Sequence, residues 1–456
     1  MLCLYLASFL NFFALAITLV PTISKICTVL AGSPAAVTAD TAFVTVNCFV
    51  LGNVFKLIFA KWDAALSDHV GRKLVMVMSC AAFAVRCGLI LSAKSAGAFY
   101  AGAIVFGALD VYYAVAIAYL ADMTGEERGK AIGVQTGISV GLGFTIGVPL
   151  GAVLQDADLS LPFYVAIAAI IAAALVSIAI PHPDIAQARH LPPLSTFLRD
   201  HHPFTGFGLM RSANVSPLDW ATNFGGQCAQ QVLQSCFILF LEGSLGYTPA
   251  QAGEAFAVVG VSIAVASPLL IGRYEERPLV ALGMALQIAS YFLLSLAGTS
   301  WPGAAYVAIP SFVGLSVGAT WLSALPSIIT KQYDKQMYGS VVGVLSQQTV
   351  LASLPAYPVG LLFAYTLTSP NHLYWPGSTW VFAAFFLMLA IYIQLFAHGA
   401  KALALKKRSR VVADSSPDDV PGVVVVNPLL VDSSDLPDDC HHETTPPAPP
   451  TTRTYE

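Results

Sequence analysis

Apolar runs of about twenty residues recur along the whole chain, separated by short polar connections, and a run of that length is what a helix needs to cross the hydrocarbon of a bilayer. The candidate spans are 4–28, 42–61, 74–93, 97–121, 131–154, 162–180, 218–241, 251–272, 278–298, 303–329, 339–366 and 379–398. Only a helix, or a closed barrel, satisfies its backbone polar groups in lipid, so twelve such runs predict an all-α membrane protein. Composition agrees: of 456 residues, 11% are charged and 56% hydrophobic, and nine of the 26 acids and six of the 22 bases lie beyond residue 400. A soluble fold of this length would need far more polar surface.

The opening MLCLYLASFLNFFALAITLVPTI has no basic leader and reads as a retained first span. Pro310, Pro326, Pro355 and Pro358 interrupt the two runs before the last and predict bends there. Seven of the eight cysteines fall in or beside apolar runs and read as small buried hydrophobes, with no metal spacing and no disulfide framework.

Lys and Arg are retained on the cytoplasmic side of a membrane. Arg72, Lys73, Arg128, Lys130, Arg189, Arg199, Arg211, Arg273, Arg277, Lys331 and Lys335 fall on one set of connections, and only Lys94 on the other. This places both termini in the cytosol, in a plasma or an internal membrane that the sequence does not distinguish. The Pro- and His-rich segment between spans six and seven divides the chain: a six-helix bundle at 1–180, a linker at 181–217, a second bundle at 218–399 and a disordered tail at 400–456. Asn214-Val215-Ser216 fits a glycosylation acceptor but lies on the cytoplasmic side and is expected to be unmodified. In the tail, GVVVVNPLLV is a candidate docking segment for cytosolic proteins; Cys440, His441 and His442 read as incidental rather than as a metal site.

A compact polar knot, ALSDHVGRK at 65–73, separates spans two and three. A tight reversal needs backbone freedom at Gly71. Asp68, near the C-terminal end of its helix, is badly placed for that helix's dipole and should serve the neighbouring bases or another helix. Arg72 and Lys73 also satisfy the charge asymmetry.

With Ala64 and Leu66 before it, the knot resembles the loop signature of the major facilitator superfamily; Ala64 stands where that family has Gly, and His69 where it has a base. The resemblance implies twelve transmembrane helices in two pseudo-symmetric six-helix bundles, with Asp68, Gly71, Arg72 and Lys73 as a cytoplasmic gate. In span five, GLGFTIGVPLGAVL is similar to the glycine and proline motif of the proton-coupled antiporters of that superfamily through Gly143, Gly147, Gly151 and a displaced Pro149. Close packing accounts equally well for those small residues. Spans one, four to five and eleven resemble tetracycline-efflux-like members, with Asn11 where an acid is common.

Charges inside spans are expensive and therefore candidate functional residues. Arg86 and Asp110 lie about 18 and 16 Å from the cytoplasmic ends of consecutive spans at 1.5 Å per residue and are expected to face one another or to share a water-filled path. Lys56 and Lys61 are read as snorkelling. Gln227, Gln230, Gln231 and Gln234 share one helical face and, with Tyr112, Tyr113 and Trp321, are candidate cavity-lining residues, interhelical packing being the alternative.

The expected function is secondary transport, foremost the proton-coupled export of a small organic molecule. Uptake or facilitated diffusion with other coupling is the second reading, and a transport-inactive receptor or trafficking scaffold the third. No cofactor is implied, nor a nucleic-acid partner. The partners expected are the bilayer, the substrate and protons. With no in-span histidine and no nucleotide loop, enzymatic chemistry and direct nucleotide-driven pumping are disfavoured.

Overall fold

The computed structural model describes residues 1–34, 37–124, 128–181, 193–200, 202, 216–271, 273–298, 304–333, 338–366, 375 and 377–414. The chain divides into a body, Met1–His398, and a second unit, Gly399–Glu456, in which residues 399–414 are helical. The acceptor Asn214-Val215-Ser216 apart from Ser216, together with Arg189, Arg211, Lys335, the segment GVVVVNPLLV and the Cys440–His442 group, lies outside the described residues.

Among the described residues the body holds a short helix, Leu194–Asp200, and twelve longer helical segments. The twelve are α1 (Leu2–Ala31), α2 (Ala39–Val70), α3 (Arg72–Leu91), α4 (Ala96–Thr124), α5 (Gly129–Ala157), α6 (Leu161–Ala179), α7 (Pro217–Gly243), α8 (Pro249–Leu270), α9 (Glu276–Ala297), α10 (Tyr306–Thr330), α11 (Val341–Thr366) and α12 (Ser378–Phe396). Eleven are long and apolar enough to cross a membrane, not the expected twelve. The exception is α7, whose 27 residues include Asn223, Gln227, Gln230, Gln231 and Gln234. Those side chains lower its mean hydropathy, yet most of α7 is buried, and Asn223, Gln227 and Gln231 meet protein rather than lipid.

Local chemistry explains where the segments start and break. The Thr38 hydroxyl accepts from the Thr41 N–H and the Thr41 hydroxyl accepts in return from the Thr38 N–H, which closes the first turn of α2. Thr248 and Gln251 do the same for α8, with Pro249 at its first position. Pro21 cannot bond the carbonyl of Ile17, and α1 is interrupted at Thr18. Likewise Pro355 cannot bond Leu351, and α11 is interrupted at Ala352.

Two elements depart from the sequence reading. The second span is not 42–61 with a loop after it: α2 stays helical through Val70, so 65–70 is helix and Gly71 alone makes the turn into α3, at φ 98° and ψ 145°. The apolar run stops at residue 61, but the helix does not, because its last turns are buried against other helices. Ala60, Ala64, Ala65 and Ser67 are all buried. The fourth span is not continuous: it breaks at Asp110, φ −79° and ψ 72°, where the Val111 N–H bonds the Leu109 carbonyl at 2.9 Å in an inverse γ-turn.

Two hydrophobic clusters fill the body. One draws only on residues between Leu4 and Ile180. The other is built mainly from residues between Trp220 and Ala390, joined by Ala16, Val20, Ile23, Cys27, Ala42, Val46 and Val148. In the second, the Trp380 ring stacks on Tyr291 at 6.0 Å and meets the edges of Phe237 and Phe240 at 6.1 and 5.2 Å. Among the described residues there is no strand, only an isolated bridge between Ile271 and Tyr274.

Candidate functional site

The site begins with two glycines. A Cβ on Gly107 of α4 would collide with the backbone of Gly52 on α2, so only glycine allows the two helices to touch at this crossing. One turn further along each helix, Lys56 and Asp110 meet: Lys56 Nζ lies 2.9 Å from Asp110 Oδ2, the side chains 22% and 33% exposed. Each residue is fourteen short of the last residue of its segment, so the pair lies about 21 Å from the Gly71 end of the helices. Snorkelling therefore does not describe Lys56, which sits at the middle of α2 rather than in its last turns.

The expected pairing of Arg86 with Asp110 is not formed. The Arg86 guanidinium lies over the Phe106 ring at 5.0 Å and near Phe83 at 5.9 Å. Its stem packs at Gly102, where a Cβ would meet Arg86 Cγ at 3.4 Å. Equal distance from one end of two helices gives equal depth but does not set direction, and the close α2–α4 crossing gives Asp110 to α2 instead.

Around the ion pair the contacts between the two halves of the chain are neutral hydrogen bonds. Asn53, three residues before Lys56, donates to Gln231 of α7 at 3.2 Å. Tyr357 of α11 donates to Asn47 at 2.9 Å. Thr136 of α5 is within hydrogen-bond distance of Tyr113, at 2.9 Å, and of Ser323 of α10, at 3.1 Å. Phe12 packs edge-on against Tyr113 at 5.4 Å.

The remaining candidates separate. Gln227 and Gln231 are buried, Gln230 is half-buried and Gln234 is exposed, so the four do not share one environment. Tyr112 is 2% exposed and paired with Ser177 of α6 at 3.2 Å, inside the first half. Trp321 is fully buried, its ring against Gly226 and its N–H donated to Gln287 at 2.8 Å. Asn11 reaches Cys80 Sγ at 4.0 Å. The small residues of α5 form a contact surface: Cβ atoms on Gly143, Gly147 and Gly151 would press on Phe12, Ala16 and Ile17 of α1, while Pro149 lies against Gly253 of α8.

At the Gly71 end, Arg72 gathers the knot. It bonds Asp68 and the Ser67 hydroxyl, and reaches Asp122 at the end of α4 at 3.5 Å. Lys73 donates to the Ile178 carbonyl at 3.2 Å. Helix α11 packs beside this cluster, with Gly343 opposite Ala64. A second cluster, not anticipated from the sequence, holds Glu276 between Lys331 and the Ser327 hydroxyl, both at 2.8 Å. A Cβ on Gly129 of α5 would stand 2.8 Å from that carboxylate. Asp219 pairs with Arg277 at 3.6 Å and accepts from Gln332 at 2.8 Å. No group of three metal-ligating side chains occurs among the described residues.

Asn53, Gly52 and Gly107 escaped the sequence reading, in which Lys56 figures only as a snorkelling base. The signal that could have found them is the stripe Asn53, Lys56, Ala60, Asp63, Ser67, one face of a helix extended past residue 61.

Comparison with known proteins agrees with this architecture. The family model described as Major Facilitator Superfamily matches residues 1–356. The class C tetracycline resistance protein of Escherichia coli is 26% identical over 325 residues, covering 70% of this chain and 78% of that protein. The class G protein of Vibrio anguillarum is 26% identical over 358 residues, covering 74% and 84%. Among solved structures, the human organic anion transporter MFSD10 superposes with a TM-score of 0.65 at 16% identity, covering 86% of this chain and 98% of that one. A D-xylose–proton symporter does so with a TM-score of 0.63 at 14% identity, covering 86% and 96%.

Proposed function

Because this chain belongs to the major facilitator superfamily and is a multi-pass membrane transporter of that fold, we propose that it exports a small organic molecule in exchange for protons. The observation that carries the reading is the ion pair Lys56–Asp110, mid-helix, partly exposed and seated at the break in α4. A carboxylate and an ammonium in the membrane interior hold one another while both are charged. A proton on Asp110 removes the charge that holds Lys56, and the pair separates. Since α4 has no continuous hydrogen-bond ladder at Asp110, its two parts are free to change their angle as the pair opens or closes.

The reading takes 1–180 and 218–399 as the two bundles that rock about the site, with both termini cytoplasmic. Tetracycline as the first compound to try follows from the names of the relatives, and export from the likeness of Gly143, Gly147, Pro149 and Gly151 to the antiporter motif. Arg72–Asp68–Asp122 and Glu276–Lys331 are the cytoplasmic closures of the two bundles in this reading.

The test is flux in proteoliposomes. Tetracycline uptake driven by an imposed pH gradient, lost in Asp110→Asn, is the expected result. Flux indifferent to the gradient would leave a facilitator or a transporter of other coupling. Binding without flux would leave a receptor or scaffold, its tail then the place to look for a cytosolic partner.

A further inference from the structure

The face of α2 that carries Asn53 and Lys56 continues through Ala60 and Asp63 to Ser67, at intervals of three or four residues. Both ends of the stripe are engaged. Asn53 and Lys56 meet Gln231 and Asp110, and Ser67 accepts from Arg72 at 2.6 Å. Asp63 stands between them, seven residues from Lys56 and about 10 Å along the axis. It is 6% exposed, and its Oδ2 meets no donor among the described residues.

The cations on α2 and at its end have other engagements. Lys56 is on Asp110, Lys61 donates to the His202 carbonyl at 3.3 Å, and Arg72 is on Asp68 and Asp122. The His69 ring is turned edge-on to Phe197. Helix α11, whose Gly343 lies against Ala64, the residue after Asp63, carries no titratable side chain except Tyr357 and Tyr365. An ionised carboxylate buried without a cation or a donor is costly, and a proton removes that cost. A packing role would be served by Asn or Leu, neither of which brings this expense.

We propose that Asp63 is a proton-relay residue between the Asp110–Lys56 pair and the cytoplasm. The inference rests on the proton-coupled reading of that pair. While Gly343 lies against Ala64, Asp63 is closed off and holds its proton. When α11 leaves α2, Asp63 gives that proton to cytoplasmic water. Its carboxylate then receives, through intervening water, the proton leaving the Asp110 carboxyl, and Asp110 returns to Lys56. One proton moves per step, and no charge is left unpaired once the seam closes.

Two measurements on the full chain test this. Dicyclohexylcarbodiimide, which reacts with protonated carboxyls in apolar surroundings, should modify Asp63 at pH 6, with modification falling several-fold by pH 9, read by peptide mass. In proteoliposomes, Asp63→Asn should lower gradient-driven tetracycline flux at least ten-fold, and Asp63→Glu should restore it to within about three-fold of the parent. Unmodified Asp63 at pH 6 overturns the proposal, as does parental flux in a folded Asp63→Asn protein. If that parental flux accompanies a dead Asp110→Asn, the relay fails while the coupling pair stands. If the parent protein moves no tetracycline with the gradient, both fall.

Discussion

Lys56 holds Asp110 in an ion pair, and its placement shows what a residue's sequence neighbours conceal. Read from the apolar run alone, it lies near a helix end and needs no partner. In the folded chain it is mid-helix and faces the only carboxylate among the described residues of the broken α4 segment's centre. Removing one member of such a pair strands the other in the membrane interior, which costs more than removing both. Lys56→Met should therefore lower the melting temperature in detergent more than Lys56→Met/Asp110→Asn does, with a coupling of about 1–3 kcal/mol in the double-mutant cycle. Additive losses would show that the two side chains do not depend on one another. Arg86 and Asp110 were identifiable as costly residues, but their partners were not, because partner choice is decided by backbone approach at Gly52 and Gly107, which leave no mark in a hydropathy profile.

At the level of elements, the sequence disclosed the helices well and their ends badly. Lipid imposes a length on any apolar run, so the runs were plain. Protein-covered turns obey no such limit, and the polar extension of α2 and the polar face of α7 are of that kind. The break in α4 has no proline to announce it. Gly107→Val should test the crossing that aligns the ion pair. An added side chain overlaps the Gly52 backbone, and overpacking of this sort costs about 1–3 kcal/mol. The expected result is a lower melting temperature together with loss of gradient-driven flux, whereas Gly97→Val, whose Cβ site has only the Ser95 hydroxyl at 3.6 Å, should be tolerated.

For the whole molecule, α2 and α11 touch across the seam between the halves at two places. Gly343 lies against Ala64 at one and Gly360 against Val46 at the other. Cysteines introduced at Ala64 and Gly343 should cross-link, as should a pair at Val46 and Gly360, and either link should stop flux until it is reduced. Retained flux with both links formed would mean that these contacts do not part during transport. Impermeant amine reagents should reach Lys94 from outside and Lys73 only after permeabilisation, as cytoplasmic termini require. Within the seam, α5 turns two different glycine rows to its neighbours: Gly143, Gly147 and Gly151 to α1 of its own half, and Gly133, Gly137 and Gly141 to α8 of the other. A six-residue π-helical stretch, Gly137–Leu142, lies where one row gives way to the next. If the two halves rock as proposed, one flank of α5 is a weld and the opposite flank a bearing. A bulky residue on the first should show in how much folded protein survives heating, and one on the second in how fast each turnover runs.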